Sequence, residues 1–355
     1  MKTSRNSMLF VVLLALLGVS AQASGETFDK VLAEKKYAVD ENVLLSIVHK
    51  YGTVKCRNWD EQAILVKVTA QVDASSRAEA EKIFARIQYE LSGSRSKVNF
   101  EIRNSGDLTK GKNSKLIIHV DVMMPEMVQL ELYNQFGNCY IGRVSGASEI
   151  RIEYGSLEIA ALKNEANQVG IEFGEGRIEY IRKGEVEVSY SPLTIGESSF
   201  LLVASDYSDV KIGKVSQIEI ESEGGSVQIG EVDEAVMSAK FSECTLKKLG
   251  RSLRAESEYG ALILSEVSPQ FELVEIENAF GSVRVTFESS ASFRFETEVE
   301  MGTIDFKDFP EPRFKFSSLE KFLTGSSYSG TTGPNSQRAL VSIVSSYGSI
   351  ILGFK

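Results

Sequence analysis

Residues 150 to 159 read Ile-Arg-Ile-Glu-Tyr-Gly-Ser-Leu-Glu-Ile, with apolar side chains at Ile150, Ile152, Leu157 and Ile159. On each side of Tyr154-Gly155 the apolar residues alternate with period 2, the pattern of a strand with one buried face. Across the Tyr-Gly pair the phase slips by one residue. Glycine has no Cβ, so the slip is expected to fall on it, where the chain can bend and restart with its apolar set still inward. The aromatic ring shares the parity of Ile152 and is expected to be buried, as a ladder at the corner. An outward ring would instead offer a stacking platform for carbohydrate.

The same unit returns at Phe136-Gly137, Phe173-Gly174, Tyr190-Ser191, Tyr207-Ser208, Phe241-Ser242, Tyr259-Gly260 and Phe280-Gly281, with Gly224-Gly225 and Met301-Gly302 in the gaps. Spacings of 17 to 21 residues are too short for a helical-hairpin repeat and fall in the solenoid range. One unit cannot bury its own apolar face, so successive units are expected to stack as rungs with equivalent strands paired. Ten rungs at about 4.8 Å each make a rod on the order of 45 Å long.

An earlier unit, Tyr51-Gly52, carries Leu45, Ile47 and His49 before it and Val54 and Cys56 after it. Ser76-Arg77-Ala78-Glu79 is a capping box, and Ala80, Ile83, Phe84 and Ile87 follow at helical spacing, so one amphipathic helix is expected near 76–88. With its flanking strands it would cap an open apolar end. Residues 24–128 thus form an N-terminal rung and capping segment, 129–306 the β-solenoid repeats, and 307–355 an irregular excursion followed by a final rung around Tyr347-Gly348.

At the N-terminus Lys2 and Arg5 precede the apolar run Met8 to Leu17 and then Ala21-Gln22-Ala23, which reads as a signal peptide over residues 1–23 and an exported chain. Its removal leaves 37 Lys and Arg against 49 Asp and Glu, a net charge of −12 that makes nucleic acid a poor partner. Cys139 and Cys244 lie six rungs apart, about 29 Å at the stacking distance and beyond disulfide reach, so they and Cys56 are expected to be buried free thiols. His49 and His119, the two histidines, read as strand residues rather than ligands or bases. Gly174-Glu175-Gly176 reads as a corner rather than a phosphate loop, and no zinc spacing or nucleotide motif is present. No cofactor and no catalytic residue is expected. A carbohydrate-active β-helix would need loops to wall a cleft, and rungs of 17 to 19 residues leave little chain for them.

Lys50-Tyr51-Gly52-Thr53-Val54, Trp59-Asp60, the helix after them and the later Tyr-Gly units resemble an exported bacterial β-solenoid family labelled "putative adhesin". The resemblance spans about residue 40 to the C-terminus. It implies an all-β, single-stranded right-handed parallel β-helix, a hand that parallel crossovers favour in general. That family offers no catalytic residues to carry over. The function expected is a non-catalytic binding surface at the periplasm or cell surface for a protein or glycan partner, as adhesin or envelope scaffold. An accessory role in envelope signalling stands beside it. The caps argue for a monomer.

The residue before each aromatic alternates with a buried one and is expected to face out. Glu153, Glu172, Asp206, Glu223, Glu258 and Glu300 occupy it. Stacked at about 5 Å, such carboxylates repel mildly. Solvated side chains with basic neighbours would offset this, or calcium would, with Glu153, Glu172, Asp206 and Glu223 as the candidate ligands.

Overall fold

The computed structural model describes residues 26–104, 115–307 and 314–355. The expected signal peptide, most of the polar loop over 104–114, and Pro310 and Pro312 lie outside these residues. The described residues are all-β, with 75% strand and 3% helix, so the one helix among them has to be read against a sheet that runs through all of them. It opens with β1 (Glu26–Ala38), β2 (Leu44–Lys50), β3 (Val54–Asn58), β4 (Ala63–Ala74), α1 (Arg77–Phe84), β5 (Gln88–Gly93), β6 (Lys97–Asn104) and β7 (Leu116–Met124). Helix α1 begins where expected: Ser76 has extended backbone and its Oγ accepts from the Glu79 amide at 3.3 Å. The return bond of the box goes to the neighbouring residue, with Ser75 Oγ donating to Glu79 Oε2 at 2.5 Å. Ala80, Ile83 and Phe84 form the buried stripe of the helix, which packs on β1 and β4.

The middle of the chain comprises β8 (Gln129–Gln135), β9 (Cys139–Val144), β10 (Ser148–Glu153), β11 (Ser156–Leu162), β12 (Asn167–Glu172), β13 (Glu175–Ser189), the continuous run β14 (Leu193–Glu258), β15 (Ala261–Val267), β16 (Leu273–Ala279) and β17 (Ser282–Phe287). Strands before a corner pair with strands before the next corner, always parallel and without offset. Ile152 lies beside Asn134 on one side and Ile171 on the other, and Ile171 beside Val188. Beyond the corner Leu157 lies between Cys139 and Gly176. Because the register is zero, like residues form columns, and the inward columns merge into one apolar core running from Phe28 to Phe354. Cys56, Cys139 and Cys244 are free and buried within it.

The corner itself differs from the expectation. Phe136, Tyr154, Phe173, Tyr190, Tyr207, Phe241, Tyr259 and Phe280 all have left-handed backbone, with φ between 46° and 55°, and their rings are exposed rather than buried. The phase slip falls on the aromatic residue, not on the residue after it. A positive φ turns the side chain to the opposite side from the one strict alternation assigns, so the residue before the corner and the aromatic both face outward. The following glycine has another role. A Cβ on Gly155 would stand 1.9 Å from the carbonyl oxygen of Gly137 in the rung beside it, so the backbones approach too closely there for a side chain directed that way. Where serine replaces glycine its hydroxyl joins the backbone ladder: the Gly174 amide donates to Ser191 Oγ at 2.8 Å, and the Ser191 amide to Ser208 Oγ at 3.0 Å.

The order of strands in space departs from sequence order at both ends. The chain closes with β18 (Phe293–Glu300), β19 (Thr303–Lys307), β20 (Phe314–Phe322), β21 (Gly325–Thr332), β22 (Leu340–Ser346) and β23 (Ser349–Phe354). Strand β22 pairs with both β16 and β18, and β23 with both β17 and β19, so the last rung in sequence is inserted between two earlier ones. At the other end β2 sits between β6 and β8, and β3 between β7 and β9. Outside these inserted rungs the pairing turns antiparallel, through β7, β4 and β1 at one end and β18, β21 and β20 at the other. Strand β1 carries charges along its length and a register break between Val31 and Ala33, both of which discourage further strands from pairing with it.

Candidate binding surface

Left-handed corners put the aromatic rings in a file on the outside of the stack. Tyr51, Phe136, Tyr154, Phe173, Tyr190 and Tyr207 stack in sequence at centroid distances of 5.0 to 5.4 Å with planes within 8° of parallel. A second file runs Phe241, Tyr259, Phe280 and Tyr347 at 4.8 to 5.0 Å, and the inserted rung thus takes its place in the ladder. Lys50 lies alongside the first two rings, its Nζ 5.2 Å from the Tyr51 centroid and 5.4 Å from that of Phe136. Each ring inside a file gains a stacked partner on both sides and each end ring one, which offsets the cost of holding a non-glycine residue at positive φ.

Beside the ladder lies the outer face of the strands that precede the corners. Three and five residues before each corner the side chains point out, and across six neighbouring rungs they line a depression of about 560 Å³. Its floor is short or apolar: Ala204, Ser238, and the half-exposed Leu202 and Val236. Its walls are acidic, formed by Glu185, Glu187, Glu219, Glu221, Glu256, Glu275 and Glu277. Register explains the concavity, since Glu185 pairs with Leu202 and Glu187 with Ala204, so long side chains alternate with short ones from rung to rung. Arg254 is the one cation in the lining, and its Nε binds Glu275 Oε2 at 3.1 Å. Among the described residues Glu187, Glu219, Glu221, Glu256 and Glu277 have no cationic partner. The sequence reading missed this face because it followed the column next to the corner and not the two outward columns behind it. The signal was present in the alternation of Glu185, Leu202, Glu219 and Val236 at intervals of 17 residues.

The acidic column next to the corner does face outward. Glu153 and Glu172 are in register, while the partner of Asp206 across β13 is Ser189, so the four calcium candidates do not form one run of carboxylates. Glu153 accepts from Tyr133 Oη at 2.9 Å and from Gln135 Nε2 at 2.5 Å. Burial, and after it the bond to Glu153, pushes the Tyr133 phenol up to about 12. No group of three or more His, Cys, Asp or Glu among the described residues is placed to hold a metal ion.

His49 is buried, with Nδ1 2.6 Å from Asn134 Oδ1, and burial is the main cause of its lowered pKa, which keeps the ring neutral. His119 lies in β7 opposite Thr69. Burial raises the thiols of Cys56 and Cys244 to about 12 and that of Cys139 further, so none is a nucleophile at neutral pH. No helix among the described residues is long and apolar enough to cross a membrane.

No protein-family model matches the sequence, and no curated protein matches it. Solved structures do give matches. A "putative cell adhesion protein" from Clostridium sporogenes is 13% identical with a TM-score of 0.19, the match covering 92% of this chain and 100% of that one. A "putative adhesin" from Parabacteroides distasonis is 11% identical with a TM-score of 0.31, covering 93% and 98%. A "putative lipid binding protein" from the same species is 10% identical with a TM-score of 0.28, covering 90% and 96%. At such identities and scores the names describe those proteins alone, and the chemistry of this chain's surface has to be read from its own residues.

Proposed function

We propose that the chain is an exported, non-catalytic binding module, wound as a single right-handed parallel β-helix of 17–21-residue rungs with α1 at its N-terminal cap. Support for the winding comes from the zero-offset parallel pairing of successive strands and the recurrence of one left-handed corner. The acidic depression carries the binding reading. Five carboxylates without cationic partners around an apolar floor repel one another and bind water at a cost that a cationic, partly apolar ligand would remove. The partner that fits is a polypeptide segment alternating lysine or arginine with apolar residues, presented at the cell envelope, and the module acts there as adhesin or scaffold.

The test is calorimetric titration of the mature chain with an acetylated peptide of alternating lysine and leucine, and with its glutamate and leucine counterpart. Binding of the basic peptide is expected to weaken several-fold between 50 and 300 mM salt, and to weaken at low salt in the Glu219→Gln/Glu221→Gln variant. Equal binding of both peptides, or of the basic peptide to wild type and variant, would refute the assignment. Preferential binding of neutral or acidic polysaccharides would move the partner to glycans.

A further inference from the structure

The aromatic ladder is interrupted once inside the stack. Between Tyr207 and Phe241 the corner is Gly224, which keeps the left-handed backbone of its neighbours, φ 76°, but has no ring. The rung order at this point is set by contacts on either side. A Cβ on Gly225 would meet the Ser208 carbonyl oxygen at 2.1 Å, and Ser242 Oγ lies 3.0 Å from Ser222 Oγ. Tyr207, Gly224 and Phe241 therefore occupy three successive rungs. Tyr207 and Phe241 are also the two most exposed rings of the ladder, at 57% and 60%, because each has lost the neighbour that covers one face.

Two ladder steps separate these rings, about 10 Å along the stack at the ordinary strand spacing. Everywhere else along the two files one step holds one ring, at 4.8 to 5.4 Å between centroids. Parallel, offset rings with centroids about 5 Å apart have planes about 3.5 Å apart, so two steps leave about 7 Å between the planes of Tyr207 and Phe241, room for a single planar layer with both faces in contact. A pyranose chair is thicker than such a layer. The floor is the backbone of Gly225 and of Gly224, the latter buried beneath the edge of the Tyr207 ring, and the rim carries Asp206, Glu223 and Lys240, the residues before the three corners. We propose that this slot binds one planar aromatic side chain of a polypeptide partner, which completes the ladder from outside. The slot lies at the corner, outside the lining of the acidic depression, and its occupant follows from ring geometry whether or not that depression takes a basic segment.

The probe is N-acetyl-5-fluorotryptophanamide, followed by fluorine NMR as mature chain is added. Saturable broadening with a ring-current shift is expected in the wild type. The variant Gly224→Tyr places the chain's own ring in the slot at a left-handed corner of the kind six tyrosines of the ladder already occupy, with the Tyr207 ring, 2.9 Å from the added Cβ, turning aside to admit it, and it is expected to weaken the probe at least tenfold while keeping its melting transition. Tyr207→Leu, which removes one wall, is a second variant with the same expected loss. Gly170→Ser, on an outward position away from the gap, is expected to bind as wild type. Undiminished binding to both Gly224→Tyr and Tyr207→Leu would overturn the proposal, as would absence of any wild-type binding. Methyl β-glucoside displacing the fluorinated probe from the wild type at equal concentration would also overturn it, in favour of a sugar site.

Discussion

The left-handed corner makes an unusual demand that a pair of substitutions at Tyr154 can check. Tyr154 has φ 54°, stacks on Phe136 at 5.0 Å and on Phe173 at 5.2 Å, and leaves 47% of its surface exposed. A fully buried aromatic hides about 150–250 Å², so Tyr154 hides about 100 Å², worth about 2.5 kcal/mol at 25 cal/mol per Å². Some stacking energy adds to that, and Tyr154→Ala is expected to cost about 3 kcal/mol. Alanine keeps the strain of positive φ. Tyr154→Gly loses the same ring but releases about 1–2 kcal/mol of that strain, part of which is offset by the greater freedom of glycine in the unfolded chain. The glycine variant should therefore be the more stable of the two by about 1 kcal/mol, the reverse of the usual order within a strand. The chain contains its own precedent in Gly224-Gly225. Urea unfolding followed by circular dichroism, with equal slopes for both variants, measures the difference. An alanine variant as stable as the glycine variant, or more so, would refute the left-handed corner and with it the outward ladder.

Two further outcomes follow from side-chain contacts. Glu126, in the turn between β7 and β8, accepts from Lys163 Nζ at 2.5 Å, Arg143 Nε at 3.0 Å and Ser145 Oγ at 3.1 Å, and these bonds, that to Lys163 first, lower its pKa from 4.5 to about 2. A carboxyl depressed in the folded state contributes its stability above the unfolded value and loses it as pH falls through the folded one. Glu126→Gln should cost about 1 kcal/mol at pH 7 and almost nothing near pH 2, and a cost independent of pH would count against the ion pairs. Asn278 Nδ2 donates to Ser345 Oγ at 2.8 Å in the core, so Asn278→Val alone should leave a buried hydroxyl without its donor and cost about 1–3 kcal/mol. Adding Ser345→Val should recover part of that loss, and strictly additive costs in a double-mutant cycle would show that the two groups do not depend on each other.

The strands and their mutual register were legible because every inward position repeats with period 2 and the units differ little in length. Ile152, Ile171 and Val188 could only share a core if their strands paired without offset, and they do. The direction of the aromatic rings was not legible by the same rule. Counting parity assumes extended backbone at every residue, and one residue at positive φ reverses everything counted through it. Tyrosine and phenylalanine give no local hint of that conformation, since it is made tolerable only by a ring stacked from the next rung. The acidic face was written in the sequence but spread over residues 17 positions apart, and it becomes a site only when the rungs lie side by side.

The places of the two end rungs are the hardest to read, because Tyr51-Gly52 and Tyr347-Gly348 carry the same motif as any other unit. Their apolar columns would fit beside almost any rung, so burial alone does not choose their neighbours. Each seam, however, carries a buried polar pair at the position two residues before the corner. His49 meets Asn134 where β2 enters beside β8, and Ser345 meets Asn278 where β22 enters beside β16. Ile152, Ile171 and Val188 hold that position in the rungs between β8 and β14, and the smaller Ser205, Ser222 and Ser257 within β14, where chain connectivity already fixes which strands are neighbours. A buried donor and acceptor lose more by facing an isoleucine than a valine would by shifting one rung. The polar pairs thus favour one insertion over the alternatives that apolar packing leaves nearly equal, and the non-additivity expected for Asn278 and Ser345 is the measurable form of that choice.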